Sequence, residues 1–273
     1  MNSDHLGGIH LRTAGTQGPL VICAHCSSSH SGQFKPYFEA LQDRFRLIAP
    51  DMPGYGRSRA MPADGRPSFA HDADVIAALI AAEGDGQPVH LVGHSLGGAT
   101  AFYAARDNAA QVASLTVIEP VLFCLLEEVG NPLVADAYTA AAHVAGYCRL
   151  GRMDQAAAWF VDFWSGPGSW QAMPEDTRAY VISTINRVPD DWAGMLAGLP
   201  GLARLSDCAT LPMPVQTICG GATRASAAAV IALLRGALPD GVHHDLDGAG
   251  HMAAVTDPDR FVPLIAEFLA AQS

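Results

Sequence analysis

Short, continuous apolar runs alternate with longer stretches of helical period along most of the chain. The runs Ile9–Thr13, Leu20–Ala24, Arg46–Ala49, Val89–Val92, Leu115–Ile118, Val215–Cys219 and Val242–Leu246 predict strands. Helical patterns cover Phe34–Arg44, Ser68–Glu83, Leu96–Asn108, Ser226–Leu238 and Pro258–Ala270. Strands that are apolar throughout, rather than alternating, need cover on both faces. The pattern therefore predicts an α/β fold: a mostly parallel sheet with helices on both faces.

The rhythm breaks after Pro120. Up to Pro212 the chain shows helical segments rich in Ala, Leu, Trp and Tyr, and then strand-like character resumes at Pro214-Val215-Gln216-Thr217-Ile218. This predicts a core built from residues 1–120 and 212–273, with a helical cap inserted at 121–211. Trp159, Phe160, Phe163, Trp164 and Trp170 crowd into the insertion. They can pack its own small core or face a pocket, since ligand sites are mostly apolar with few polar groups. Trp159 and Trp164 are the expected pocket residues.

Candidate chemistry begins at Val89-His90-Leu91-Val92-Gly93-His94-Ser95-Leu96-Gly97-Gly98. An apolar strand runs into G-x-S-x-G and then into a helix. A serine hydroxyl becomes a useful nucleophile only beside a base and raised out of the sheet. A very tight strand-to-helix turn raises it, and Gly93 and Gly97 let the backbone make that turn. The helix start just past Ser95 offers the Leu96 amide to a developing oxyanion. The dinucleotide fingerprint and the P-loop need glycine and lysine spacings that this chain lacks.

His251 is the expected base. Asp247-Gly248-Ala249-Gly250-His251 directly follows the last predicted strand, and such a loop can bring an imidazole over the strand ends, where open parallel sheets gather their chemistry. His243 and His244 lie within that strand and alternate across it, so they are read as structural rather than as a metal pair. His25-Cys26-Ser27-Ser28-Ser29 follows the strand Leu20–Ala24, and the backbone amide of Ser27 is the expected second oxyanion donor.

Composition changes the picture by exclusion. Sixteen basic residues face 27 acidic ones over 273 residues, a formal charge of −11. That is the wrong sign for nucleic acid or an anionic membrane. Met1-Asn2-Ser3-Asp4-His5 lacks the basic stretch and apolar core of a leader, and apolar runs such as Val121–Leu126 fall far short of a bilayer span. Six scattered cysteines are expected to be reduced thiols in a cytoplasm, and the Cys23-x-x-Cys26 pair has no partners for a redox or zinc role.

Taken together, these residues resemble the α/β-hydrolase superfamily over nearly the whole chain. His25 in the loop after the second strand, Asp51-Met52-Pro53-Gly54-Tyr55-Gly56-Arg57-Ser58, Gly93-His94-Ser95-Leu96-Gly97-Gly98 and Gly248-Ala249-Gly250-His251 carry the resemblance. It implies a Ser–His–acid triad, no cofactor and no metal, a helical cap, and a small molecule as partner; the oligomeric state is left open. Serine at position 95 is similar to the esterase, lipase, amidase and C–C hydrolase branches. Two positions depart from the family. Cys26 stands where glycine is usual, and Gly220-Gly221-Ala222-Thr223 has threonine where the triad acid is usual.

Glu119 is the expected replacement acid. It ends the apolar strand Leu115–Ile118 at the start of the insertion, and some members of the superfamily carry their acid after this strand. The competing reading is a hinge residue bonded to backbone amides. Asp207 precedes its strand, and Asp245 and Asp247 lie too close in sequence to His251. The expected activity is hydrolysis of a carboxylic ester with a small or medium, mostly apolar acyl group. A C–C bond hydrolase acting on a dienoate-type compound, or a hydrolase-fold binding protein with weak or no turnover, are the alternatives.

Overall fold

The computed structural model describes residues 6–196, 198–238 and 240–273. Met1–His5, on which the expectation about a leader rests, lie outside the described residues. The strands are β1 (Leu11–Ala14), β2 (Leu20–Ala24), β3 (Arg46–Pro50), β4 (Val89–His94), β5 (Val112–Ile118), β6 (Val215–Gly220) and β7 (Val242–Leu246). They form one sheet in the order β1-β3-β2-β4-β5-β6-β7, parallel except for the antiparallel edge strand β1. The fold is the expected α/β class.

Alternation through the sheet builds two cores. Leu20, Ile22 and Ala24 of β2 join one cluster, while Val21 and Cys23 join the other. Helices α1 (Lys35–Leu41), α2 (Ser68–Glu83) and α3 (Leu96–Asp107) precede β5. Predicted helix Phe34–Arg44 is shorter at its start because Ser31–Phe34 forms a 3₁₀ turn, and Pro36 then sits at the helix N-terminus, where its missing N–H costs nothing.

Between β5 and β6 run α4 (Cys124–Glu128), α5 (Val134–Arg149), α6 (Met153–Ser165), α7 (Ser169–Ala172), α8 (Glu175–Thr184), α9 (Val188–Leu196) and α10 (Leu205–Ala209). This block is tied to the loops at the strand ends. The Tyr180 hydroxyl donates to Ser29 O at 2.7 Å and accepts the Gly56 amide at 2.9 Å, and Arg187 donates to Pro53 O. After the block come α11 (Ala225–Ala237), α12 (Ala253–Thr256) and α13 (Val262–Ala271). The last of these starts later than the pattern suggests, because Pro258–Arg260 is a separate 3₁₀ turn. No described helix is long and apolar enough to cross a membrane.

Strand order decides where the chemistry can gather. The chain steps from β2 to β3 on one side, then crosses back past β2 to place β4 on the other. The carboxyl ends of β2 and β4 therefore flank the point of reversal, where open α/β sheets leave a crevice. Loops after β2, β4, β5 and β7 converge there.

Candidate active site

Ser95 sits at φ 56°, ψ −117°, between the last residue of β4 and the first of α3. That conformation is sparsely populated by non-glycine residues and costs about 1–3 kcal/mol, so the surrounding structure must hold it. It does so through the Ser95 amide, which donates to Ile118 O at 2.9 Å, and the Ser95 carbonyl, which accepts the Ala99 and Val121 amides. The turn is tight enough to require glycine. A Cβ on Gly97 would lie 2.0 Å from the Ala24 carbonyl oxygen, and one on Gly93 would lie 2.1 Å from that of Gly97.

His251 follows β7 and is brought back over β6 to Ser95. Its Nε2 lies 2.9 Å from Ser95 Oγ and its Nδ1 lies 2.7 Å from Glu119 Oε2. All three side chains are buried. A carboxylate only accepts, so Nδ1 carries the proton and Nε2 is left to accept from the serine hydroxyl. Glu119 ends β5 with a left-handed φ of 44°. Its Oε1 accepts the Gly220 amide at 2.7 Å, and its Oε2 also accepts the Thr223 hydroxyl at 2.6 Å. Burial pushes this carboxyl up, but the hydrogen bonds from His251, Thr223 and Gly220 outweigh it and hold Glu119 below its ordinary value. Thr223, at the position where the resemblance places an acid, is thus a donor to one. Asp207 instead caps α10, and Asp245 pairs with Arg235 at 2.9 Å.

The loop after β2 is fixed by neutral imidazoles. His25 Nδ1–H donates to Cys26 O at 2.8 Å, and its Nε2 accepts the Met52 amide at 2.9 Å. Cys26 lies outside the left-handed region, so its position does not demand the glycine usual in the superfamily; Ser28, with φ 51°, is the left-handed residue of this loop. Burial pushes the Cys26 thiol up to about 12, which leaves it inert, and all six cysteines are free.

A chain of hydrogen bonds that sequence reasoning missed joins this loop to His251. The Cys26 amide donates to Gln33 Oε1 at 3.1 Å, and Gln33 Nε2 donates to His94 Nδ1 at 3.2 Å. His94 Nε2–H then donates to the His251 carbonyl at 2.9 Å. Each step dictates the next, because an amide nitrogen can only donate and a carbonyl can only accept. Only a neutral His94 completes it. Nothing in the local sequence around Gln33 announces the role.

The same is true of Asp191 on α9. Its Oδ2 accepts the Tyr55 hydroxyl at 2.6 Å and lies 3.4 Å from Ser27 Oγ, and its Oδ1 accepts Arg187 Nε at 3.1 Å. Arg187 also pairs with buried Asp72, so two carboxyls share one guanidinium. The structure brings together Ser95, His251, Glu119, Ser27, Leu96 and Trp164. Ser27 and Leu96 line a small cavity at Ser95, and Trp164 stacks on the His251 ring with centroids 3.8 Å apart.

Trp159 is not brought to the site. It stacks on His143 at 4.8 Å and Phe163 at 5.2 Å. Phe160, Val161 and Trp164 line the large cavity at Ser95, whereas Trp159, with Phe163 one turn on, lies on a neighbouring stripe of α6. His243 Nδ1 bonds Thr217 Oγ1 at 2.9 Å, in keeping with a structural role. Among the described residues, no group of His, Cys, Asp or Glu is arranged to hold a metal ion.

These buried imidazoles set an acid limit on stability. Burial pushes His25 and His90 down to about 4 and His94 down to about 3, against an ordinary value of 6.5. Stability held by groups lowered in this way is present above pH 6.5 and lost as pH falls through their folded values. Asp72 runs the other way. Burial raises it to about 7, so its share is present below the ordinary 3.8 and lost as pH rises through about 7. Burial raises Asp191 in the same direction, and three imidazoles outweigh two carboxyls. Between pH 6.5 and 4.5 the protein is expected to lose on the order of several kcal/mol, lowering the melting temperature by about 10 °C or more. Calorimetry across that range tests this, and a flat melting temperature would refute neutral burial of these rings.

A family model described as "Alpha/beta hydrolase family" matches residues 21–264. The chain is 31% identical over 277 residues to a pimeloyl-[acyl-carrier protein] methyl ester esterase of Methylococcus capsulatus, covering 97% of this chain and 99% of that protein. Among solved structures, it is similar to MenH from S. aureus, with TM-score 0.76, 16% identity and coverage of 97% and 99% of the two chains. It is similar also to the enol-lactonase from Burkholderia xenovorans LB400, with TM-score 0.75, 18% identity and 96% of each chain covered.

Proposed function

The chain belongs to the alpha/beta hydrolase family as a serine-type ester hydrolase, and from that premise we propose that Ser95, His251 and Glu119 are its catalytic triad. The observation that carries this reading is the continuous hydrogen-bond chain from Glu119 Oε2 through the His251 ring to Ser95 Oγ, at 2.7 and 2.9 Å. Ser95 Oγ attacks the ester carbonyl carbon while His251 Nε2 takes its proton. The Leu96 and Ser27 amides hold the oxyanion, and Glu119 stabilises the imidazolium. The intermediate collapses as the alcohol leaves with the proton from His251. Water then releases the acid from the acylated serine by the same steps.

Helices α4 to α10 form the cap in this proposal, closing the site with Trp164, Trp192 and the residues of α8. The substrate is an uncharged or weakly polar ester with a small or medium acyl group. The Methylococcus relative's name supports ester chemistry, and its acyl group is not carried over at 31% identity. The alternative of a binding protein rests on the missing acid at Thr223, and the 2.7 Å contact between Glu119 and His251 supports turnover over it. Reaction with a fluorophosphonate at Ser95, with turnover of short p-nitrophenyl esters, tests the proposal. A folded protein that shows neither would overturn it.

Pocket residues divide accordingly. Trp164→Ala removes the ring stacked on His251 and is expected to lower kcat while changing the ratio of kcat/KM between ester series by about tenfold or more. Trp159→Ala is expected to lower the melting temperature and leave those ratios unchanged. Equal shifts in selectivity from the two variants would contradict this division.

A further inference from the structure

Two cavities meet at Ser95, and they differ greatly in size. One encloses about 450 Å³, is lined by Ser95, Ser27 and His251, and is walled by Phe160, Met173 and Val181. The other holds only about 10 Å³. It is lined by Ser95, Ser27 and Leu96 but not by His251, and it is closed by Phe123, Trp192 and Asp191. Trp164 forms part of both walls. Its position is fixed by the His251 ring on one side, and by Trp192 at 6.0 Å and Phe123 at 6.4 Å between ring centroids.

Acid–base chemistry assigns the two spaces. The leaving oxygen must take its proton from His251 Nε2, so the alcohol lies on the His251 side. The oxyanion turns toward the Leu96 and Ser27 amides, at the mouth of the small cavity that these two residues help to line, which leaves still less of it to the acyl chain. The remaining substituent of the tetrahedral carbon, the acyl chain, points away from His251 and into the small cavity. A space of about 10 Å³ is close to the limit for one water-sized centre, so it admits a methyl group and little more. Phe123 and Trp192, which close it, are buried and packed ring to ring at 5.8 Å. Its one charged wall group, Asp191, disfavours an anionic acyl chain, since Arg187 is already shared by Asp191 and Asp72.

The large cavity carries the opposite character. None of its lining residues is Asp, Glu, Lys or Arg, and Ser28, Ser169 and Thr177 add hydroxyls to apolar walls. Resting on the ester-hydrolase reading, we propose that the preferred substrate is a short-chain ester of a bulky, uncharged alcohol, with an acyl group of acetyl size. The reaction consumes one water, breaks the bond between the acyl carbon and the alcohol oxygen, and releases acetic acid and the free alcohol.

Two isomeric esters test the assignment, because they differ only in which side is long. Hexyl acetate is expected to show kcat/KM at least about 100-fold above methyl heptanoate. Equal rates, or a preference for methyl heptanoate, would overturn the proposal while leaving the ester-hydrolase reading intact. Hydrolysis of neither, with no fluorophosphonate labelling of Ser95, would overturn that reading and this inference with it. Shortening Met195 or Val121, two further wall residues of the small cavity, provides a second measurement. Met195→Ala, or Val121→Ala should the first fail to fold, is expected to raise the ratio of kcat/KM for p-nitrophenyl hexanoate over p-nitrophenyl acetate by at least about tenfold. An unchanged ratio in a folded variant would place the acyl chain elsewhere and overturn the assignment.

Discussion

Ser95→Ala is expected to reduce kcat by a factor on the order of 10³ or more and to abolish fluorophosphonate labelling, while the protein stays folded. The proposed oxyanion donors and the imidazole remain, but no atom is left to form the acyl intermediate. Folding should tolerate the change because the hydroxyl makes one hydrogen bond, to His251, at the edge of a cavity that water can enter. A second substitution separates chemistry from strain. Ser95 holds φ 56°, ψ −117°, a region that glycine reaches freely. Ser95→Gly relieves about 1–3 kcal/mol of strain against roughly 1 kcal/mol of added chain entropy in the unfolded state. The glycine variant is therefore expected to be inactive and at least as thermally stable as the parent. Wild-type turnover in either variant would remove Ser95 from the nucleophile's role, and a large loss of stability in the glycine variant would remove the strain argument.

Much of the sheet was legible in the sequence because its physics is local. Strands buried on both faces are mostly apolar, and the runs at Leu20 and Val89 stand out for that reason, whereas β6 also buries Gln216 and Thr217, whose side chains are hydrogen-bonded. The turn at Ser95 was legible for a similar reason, since only glycine at positions 93 and 97 avoids backbone contacts near 2 Å. Glu119 could be reached by position alone: a carboxylate at the end of an apolar strand, between the serine and the histidine. Other parts depend on contacts that no local pattern encodes. Asp191 meets Ser27 across 164 residues, and Gln33 meets His94 across 61. Trp159 and Trp164 look alike in sequence. Their five-residue separation puts them on different stripes of α6, and which stripe faces the site depends on how the inserted helices dock on the loops after β2 and β3. The inequality of the two cavities is likewise a product of packing between Phe123, Trp164 and Trp192, from three separate helices or their approaches.

The proposed triad acid, Glu119, gives the second large effect. Glu119 Oε2 accepts from both His251 Nδ1–H and the Thr223 hydroxyl, while Oε1 accepts the Gly220 amide. Glutamine has the same shape but one carbonyl and one amide group, so it cannot accept on both sides. With its NH₂ toward His251, the imidazole must turn its Nδ1 into an acceptor. The ring proton then moves to Nε2, where it faces Ser95 and blocks general-base catalysis. With its NH₂ toward Gly220, two donors meet in a buried site, which costs about 1–3 kcal/mol. The first arrangement avoids that cost. In a serine-protease triad the same tautomer error lowers kcat by about 10⁴. Glu119→Gln is therefore expected to reduce kcat by a factor on the order of 10³–10⁴ with little change in melting temperature. Thr223→Asp in that background should recover about 10- to 100-fold, because its side chain starts from a position whose oxygen already lies 2.6 Å from Glu119 Oε2. The same substitution in the parent protein is expected to lower kcat, since two carboxylates at that separation cannot both stay ionised beside one imidazole. Near-normal kcat in Glu119→Gln would sink the assignment. Rescue of the double variant, coupled with loss in the single Thr223→Asp variant, would show that the imidazole uses one carboxylate and that its sequence position can shift from the end of β6 to the end of β5.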